Sequence, residues 1–118
     1  MQPDIFIVGP RQTVMLYGGL LKGYGYRVGA ANTISETYSL LARGMKPQTY
    51  ILDLKFSELC ELVPALRAIG GRSVKIIVIG AESAARALML KQGANLYLNR
   101  PAQPETVLDA VNYMRKAS

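Results

Sequence analysis

One acidic residue stands among basic ones at positions that a parallel sheet would bring together. Asp53 ends the third apolar run of the chain, Arg11 follows the first run, and Arg100 follows the last. If these runs are neighbouring strands, their carboxyl ends meet at one edge, so a single carboxylate faces arginines. Such a group favours a charge-assisted ion pair. It offers little acid–base catalysis, which would need a second acid, a histidine or a metal.

The composition excludes several kinds of site. The chain has no histidine, which excludes imidazole–metal sites and histidine-based catalysis. The single cysteine, Cys60, cannot form an internal disulfide, so the expected location is the reducing cytoplasm. Of the 118 residues, 50% are hydrophobic, which predicts one domain over residues 1–118, either complete or part of a longer protein. No apolar run approaches the roughly 20 residues that span a bilayer.

The chain is basic, with 14 lysines and arginines and a formal net charge of +6. These residues are scattered along the sequence and form no run, which is typical of a solvated surface. A localised basic stripe would indicate nucleic acid. The scatter therefore predicts that this domain does not bind nucleic acid and attracts acidic partners only weakly.

Strand patterns and helix patterns alternate along the chain. The apolar runs are rich in Ile, Val, Leu and Tyr, as in strands covered on both faces, and are predicted at Asp4–Gly9, Tyr26–Ala30, Thr49–Leu54, Val74–Ile79 and Asn95–Asn99. The segments between them carry apolar stripes at helical spacing. Thr33 and Glu36 predict a capping box, Pro64 predicts a kink or a late helix start, and Pro104 predicts the start of the last helix. This alternation predicts an α/β fold with a parallel sheet.

Several stretches resemble the receiver domain of two-component response regulators, and the resemblance covers nearly the whole chain. They are residues 50–54 (YILDL), 91–101 (KQGANLYLNRP), 21–28 (LKGYGYRV) and 76–82 (IIVIGAE). The resemblance implies a CheY-like, flavodoxin-like (βα)5 domain with a doubly wound five-stranded sheet in the order 2-1-3-4-5. In this family a histidine kinase transfers a phosphoryl group to an aspartate after the third strand, and Asp53 matches that acceptor.

The other positions of the family's phosphorylation site depart from its pattern. Gly9 and Pro10 stand where the family has two acidic residues that help to hold Mg²⁺. Gly80 stands where a Ser or Thr contacts the phosphoryl group, and Arg100 replaces the lysine that pairs with the aspartate. Tyr97 matches the aromatic residue of the fifth strand that often moves on activation.

These departures change the charge of the site. The family's site holds three carboxylates and one ammonium, which Mg²⁺ neutralises; this chain keeps one carboxylate beside arginine, and Mg²⁺ prefers carboxylate and phosphate oxygens. We therefore predict no Mg²⁺ cofactor and weak or no phosphorylation of Asp53. The domain would be an atypical receiver (pseudo-receiver) with its pocket formed by Gly9, Pro10, Arg11, Lys55, Gly80 and Arg100.

The resemblance implies a protein-interaction module and not an enzyme. Family members commonly act through the surface of the fourth helix, fifth strand and fifth helix, which also supports homodimers. That surface would include Arg86, Lys91, Tyr97, Glu105, Asp109 and Tyr113. An alternative is a flavodoxin-like domain that binds an anion or small ligand, because residues 9–13 lead from a strand into a helix N-terminus.

Overall fold

Strands and helices alternate along the chain in the computed structural model, which describes residues 2–116. The elements are β1 (Ile5–Val8), α1 (Arg11–Gly23), β2 (Val28–Ala31), α2 (Ile34–Ala42), β3 (Thr49–Asp53), α3 (Phe56–Gly70), β4 (Lys75–Gly80), α4 (Arg86–Gln92), β5 (Leu96–Asn99) and α5 (Pro104–Lys116). A 3₁₀ turn at Ser83–Ala85 precedes α4. Residues 1, 117 and 118 of the predicted domain lie outside the described residues.

All five strands run parallel in one sheet, in the order β2-β1-β3-β4-β5. The order changes direction between β1 and β3, so the loops after these two strands leave toward opposite faces and open a crevice between them. The predicted α/β architecture and strand order are confirmed. None of the helices among residues 2–116 has the length and apolarity needed to cross a bilayer.

The sheet is covered on both faces, which explains its nearly continuous apolar strands. Alternate strand residues point to opposite faces. Phe6 and Val78 belong to the core shared with α2, α3 and α4. Ile7 and Ile77 belong to the core shared with α1 and α5. The sheet is thereby held between two layers of helices, which cover its faces and not its polar carboxyl edge.

Helix ends follow the local signals of the sequence. The Thr33 hydroxyl accepts from the Glu36 amide at 3.1 Å, as the capping box predicts. The Glu36 carboxylate accepts from the amide of Asn32 at 2.9 Å, one residue before the expected one. The strand predicted from Tyr26 begins later, because the Tyr26 amide donates to the carbonyl of Leu21 in the turn that ends α1.

Pro64 lies inside α3, which begins eight residues earlier at Phe56. The late helix start that Pro64 suggested is therefore wrong. Proline removes one helical N–H and leaves the carbonyl one turn earlier, that of Cys60, without its usual donor. Pro64 is on the exposed side of the helix, and a carbonyl at a helix surface can accept from solvent instead.

Arg67 joins the end of α3 to the loops before β4 and β5. Its guanidinium donates to the carbonyl oxygens of Gly71 at 2.6 Å, Val74 at 2.7 Å and Gly93 at 2.8 Å. It also donates to Oδ1 of Asn95 at 2.7 Å. Four acceptors from two loops are thus satisfied by one planar group, which lysine could not imitate.

We predict that Arg67→Lys lowers the free energy of unfolding by about 2 kcal/mol, because each partly buried carbonyl left without a donor costs about 1–3 kcal/mol. The matched control is Arg72→Lys, a conservative change at an exposed arginine in the next loop. Urea unfolding followed by circular dichroism measures both. Equal urea midpoints for the two variants would contradict the conclusion that the hydrogen bonds of Arg67 stabilise the fold.

Candidate functional site

Asp53 lies at the carboxyl edge of the sheet and is held through both carboxylate oxygens. The residue is 9% exposed. Nε and Nη2 of Arg100 donate to Oδ1 at 3.1 and 2.5 Å. The hydroxyl of Thr13 donates to Oδ2 at 2.7 Å. The ion pair expected between Asp53 and Arg100 is present, and hydrogen bonds between charged groups belong to the stronger class.

Arg100 is positioned by the strand that precedes it. Its amide donates to the carbonyl of Gly80 at 2.8 Å, which ties the loop after β5 to the end of β4. Its Nη2 also lies 3.4 Å from the carbonyl oxygens of Leu54 and Ile79. The side chain of Arg100 is 42% exposed and that of Asp53 is 11% exposed. The carboxylate is thus largely removed from water, while the guanidinium keeps contact with solvent.

The turn between β1 and α1 places Gly9 and Pro10 next to Asp53, so backbone atoms and not carboxylate side chains border the site there. A Cβ on Gly9 would stand 2.9 Å from the carbonyl oxygen of Asp53 and 3.2 Å from its Cβ. The Gly9 carbonyl accepts from Nδ2 of Asn32 at 3.0 Å. Pro10 is exposed and precedes the first residue of α1. An acidic side chain at position 9 would therefore require the end of β3 to move.

The ring of Tyr97 fills the space beside Gly80 at the end of β4. A Cβ on Gly80 would stand 2.6 Å from Cζ of that ring. Tyr97 is 1% exposed, and its hydroxyl donates to the carbonyl of Glu82 at 2.6 Å. The guanidinium carbon of Arg86 lies 5.6 Å from the ring centroid, within the range of a cation–π contact. The prediction that Tyr97 belongs to an exposed interaction surface is wrong, because the ring is directed inward.

A cleft of about 450 Å³ runs beside the ion pair, and its lining includes Asp53, Thr13, Lys55, Glu58 and Arg100. Lys55 is exposed and immediately precedes α3. Its amide donates to Oε1 of Glu58 at 3.2 Å. The second carboxylate of the cleft thus caps the first turn of α3.

Of the predicted pocket residues, Pro10, Lys55 and Arg100 line this cleft. Gly80 lines a neighbouring cleft together with Lys55 and Arg100, and Gly9 lies against the backbone of Asp53. The sixth predicted residue, Arg11, is in neither cleft. It is exposed at the first position of α1, and it does not line the cleft beside Asp53. Successive helical residues are rotated by about 100°, so Arg11 and Thr13 point about 200° apart. Only one of the two can face Asp53, and it is Thr13.

The sequence prediction missed Thr13 and Asn32 as contributors to the site. Asn32 follows β2 directly, so the same strand-end rule that selected Asp53 would have reached it. Thr13 is in the first turn of the helix that follows β1. A hydroxyl in that turn is a recognisable donor, but its direction depends on how α1 packs against the sheet.

Tyr17 is a buried neighbour of the ion pair. Its hydroxyl donates to the carbonyl of Ala102 at 2.7 Å and ties α1 to the loop before α5. Burial raises the pKa of this phenol above its ordinary value, the Asp53 carboxylate raises it further, and Arg100 acts in the opposite direction. Tyr17 is therefore a neutral hydrogen-bond donor under ordinary conditions.

The closed site lies in a fold shared with many solved structures. A response regulator from Thermotoga maritima superposes with a TM-score of 0.83 and 21% identity, over 97% of this chain and 98% of that one. CheY4 of Vibrio cholerae superposes with a TM-score of 0.82 and 20% identity, and the match covers 97% of this chain and 99% of CheY4. NtrX from Brucella abortus, in complex with ADP, superposes with a TM-score of 0.85 and 15% identity. That match covers 99% of this chain and 27% of NtrX.

The amino-acid sequence of the chain does not show the same likeness to known proteins as its backbone does. No protein-family model and no curated protein sequence matches the chain. The likeness to solved structures therefore rests on the arrangement of the backbone, and it establishes the fold. The chain has the receiver fold of response regulators.

Proposed function

We propose that this chain is a receiver-type signalling domain that is weakly phosphorylated or not phosphorylated at Asp53 and acts as a protein-interaction or dimerisation module in the cytoplasm. The observation that carries this proposal is the double engagement of the Asp53 carboxylate. Arg100 occupies Oδ1 and Thr13 occupies Oδ2. An attacking carboxylate oxygen would first have to leave one of these donors.

The residues of the cleft do not fit Mg²⁺, which the receiver fold implies. A magnesium site needs near-octahedral oxygen ligands, commonly from more than one carboxylate or phosphate group. No group of three acidic, cysteine or histidine side chains that could hold a metal occurs among residues 2–116. The Gly9 carbonyl is engaged by Asn32, and a guanidinium stands beside Asp53. These donors are therefore unsuited to a magnesium ion.

The surroundings of Gly80 give the proposal independent support. A phosphoryl-sensing hydroxyl would have to occupy the space that the Tyr97 ring fills. Tyr97 is held there by Glu82 and by the cation–π contact with Arg86. We propose that these contacts keep the ring in its inward position.

Exposed apolar side chains support an interaction role for the surface at the edge strand β5, which α4 and α5 flank from the two sides of the sheet. Leu88 is 38% exposed and Leu90 is 41% exposed on α4, and Tyr113 is 64% exposed on α5. We propose that this surface binds a protein partner or a second copy of the chain. No catalytic step is assigned to the domain, since a carboxylate paired with arginine is poorly suited to proton transfer.

The alternative of an anion-binding domain has less support from the geometry. It requires arginines that are available near the start of α1. Arg100 is engaged by Asp53, and Arg11 does not line the cleft. A carboxylate in the centre of the cleft also disfavours an anionic ligand.

Phosphorylation of Asp53 can be tested directly with acetyl phosphate and Mg²⁺, followed by intact-mass spectrometry. We expect the wild-type chain to show no more phosphoryl adduct than Asp53→Asn, because the carboxylate is engaged and its neighbours do not favour a metal. A receiver domain that retains the acidic pair is the positive control. Stoichiometric, metal-dependent modification of Asp53 would refute the proposed function.

The sign of the charge in the pocket can be tested by neutralising Asp53. Asp53→Asn should lower the free energy of unfolding by about 1 kcal/mol, since it removes a partly buried charged partner of Arg100. In a pocket crowded with carboxylates, the same change would relieve like-charge repulsion and stabilise the fold.

A double-mutant cycle with Arg100→Gln isolates the pair, and urea unfolding of the four proteins should give a favourable coupling of about 1 kcal/mol. Stabilisation by Asp53→Asn, or a coupling indistinguishable from zero, would count against a site based on this ion pair.

The space beside Gly80 yields a separate prediction. Gly80→Ala should destabilise the domain by about 1–3 kcal/mol, because the new methyl group meets the buried Tyr97 ring. The cost should persist in Tyr97→Phe, which keeps the ring, and fall sharply in Tyr97→Leu, which removes it. Urea midpoints of the single and double variants measure the effect. An equal cost in all three backgrounds would show that the ring does not fill this space.

A further inference from the structure

The basic residues that are scattered along the sequence gather at one end of the folded domain. In a parallel sheet, helix C-termini and the loops before the strands all lie at the amino edge, opposite Asp53. The basic residues at this edge, which we call the amino edge, number ten of the fourteen in the chain: Lys22, Arg27, Arg43, Lys46, Arg67, Arg72, Lys75, Lys91, Arg115 and Lys116.

The acidic residues are distributed in the opposite way. Asp4 is the one carboxylate of the amino edge within residues 2–116, and it is paired with Arg27 at 2.8 Å. Hydrogen bonds with Arg27 lower the pKa of Asp4 below its ordinary value. The carboxyl edge holds acids that include Glu36, Glu58 and Glu82. The amino edge therefore carries the excess positive charge of the molecule, although its basic residues are scattered along the sequence.

Helix dipoles offset only part of this charge. The C-terminus of each helix carries about −0.5 elementary charge, so the five helices that end at this edge contribute about −2.5. The ten cations and one carboxylate of this edge carry a positive charge that exceeds the summed dipole charge by several units. Dipole stabilisation explains why a basic residue suits each helix end, but it leaves the edge strongly positive.

Three adjoining clefts cross the amino edge, and none is lined by an acidic side chain. The largest, of about 560 Å³, is lined in part by Lys46, Lys75 and Arg115. A second cleft shares Met45 with it and contains Arg27 and Arg43, and a third shares Arg115 and contains Lys116. Polar donors are also available there, among them Gln2, Gln48, Ser73 and Asn112. The surface is grooved, basic and rich in hydrogen-bond donors.

We propose that the amino edge binds the sugar–phosphate backbone of a nucleic-acid duplex without reading its base sequence. A pI near 9.7 and cations gathered at one edge of the domain are the electrostatic features of a nucleic-acid-binding protein. The edge is made of loops and helix ends, so no helix or ribbon projects from it into a groove to reach the bases. The contacts would be with phosphates, which position a protein and do not specify a sequence.

The same surface is less suited to two other polyanions. A single strand needs aromatic platforms for its bases; one face of the exposed Tyr24 ring is already stacked on Tyr26, with centroids 6.0 Å apart. A membrane surface favours projecting apolar side chains among the cations. By the same placement, Tyr24, Ile69, Leu90 and Tyr113 are the large apolar residues exposed at this edge of the described chain, and ten cations outnumber them.

The test is fluorescence anisotropy of the 118-residue chain with two labelled 20-base-pair duplexes of unrelated sequence, between about 20 and 150 mM salt. We expect the same affinity for both duplexes and a linear fall of log K with log salt. Lys46→Gln/Lys75→Gln should weaken binding on the order of tenfold at low salt. It should also reduce the magnitude of the slope of log K against log salt by up to about 1.8, since each lost phosphate contact contributes about 0.9.

The control is Arg11→Gln/Lys55→Gln, which removes the same net charge at two exposed residues of the carboxyl edge. It should leave affinity and slope close to wild type, and circular dichroism with urea midpoints verifies that both variants fold. Loss of binding in both variants alike, or no binding at the lowest salt, would overturn the proposal. So would tighter binding to phosphatidylglycerol vesicles or polyglutamate than to the duplexes at equal salt.

Discussion

The ion pair between Asp53 and Arg100 is the contact on which the organisation of the carboxyl edge depends. It joins the end of β3 to the loop after β5 across the end of β4. A carboxylate that is 11% exposed in its side chain needs a compensating charge, and a covalently attached guanidinium supplies it permanently. Under the proposed function, this internal ion pair takes the place of a dissociable metal ion at the carboxylate.

Two glycines show that the site is closed as well as depleted of acids. Gly9 allows the turn after β1 to lie against the backbone of Asp53, and Gly80 allows the Tyr97 ring to lie against the end of β4. A larger side chain at either position would meet atoms already in place. These two close approaches fix the shape of the carboxyl edge around Asp53.

The two edges of the sheet differ in charge for one topological reason. Parallel crossovers place every helix N-terminus at the carboxyl edge and every C-terminus at the amino edge. Acidic residues suit the first and basic residues suit the second. In this chain the basic residues are far more numerous, so the carboxyl edge keeps a locally balanced pair while the amino edge is left strongly positive. A receiver fold can thus carry two surfaces of different chemistry that do not share a residue.

Local patterns in the sequence determined the succession of strands and helices, the cap at Thr33 and the start of α5 at Pro104. The pairing of Asp53 with Arg100 also followed from the sequence, since strand ends in a parallel sheet must meet at one edge. Only the tertiary structure decided that Thr13 and not Arg11 faces the carboxylate, that Tyr97 points inward, and that dispersed cations form one surface. Periodicity is a property of one segment. Which side chains meet depends on the rotation of each helix against the sheet and on residues distant in the chain, and packing alone sets both.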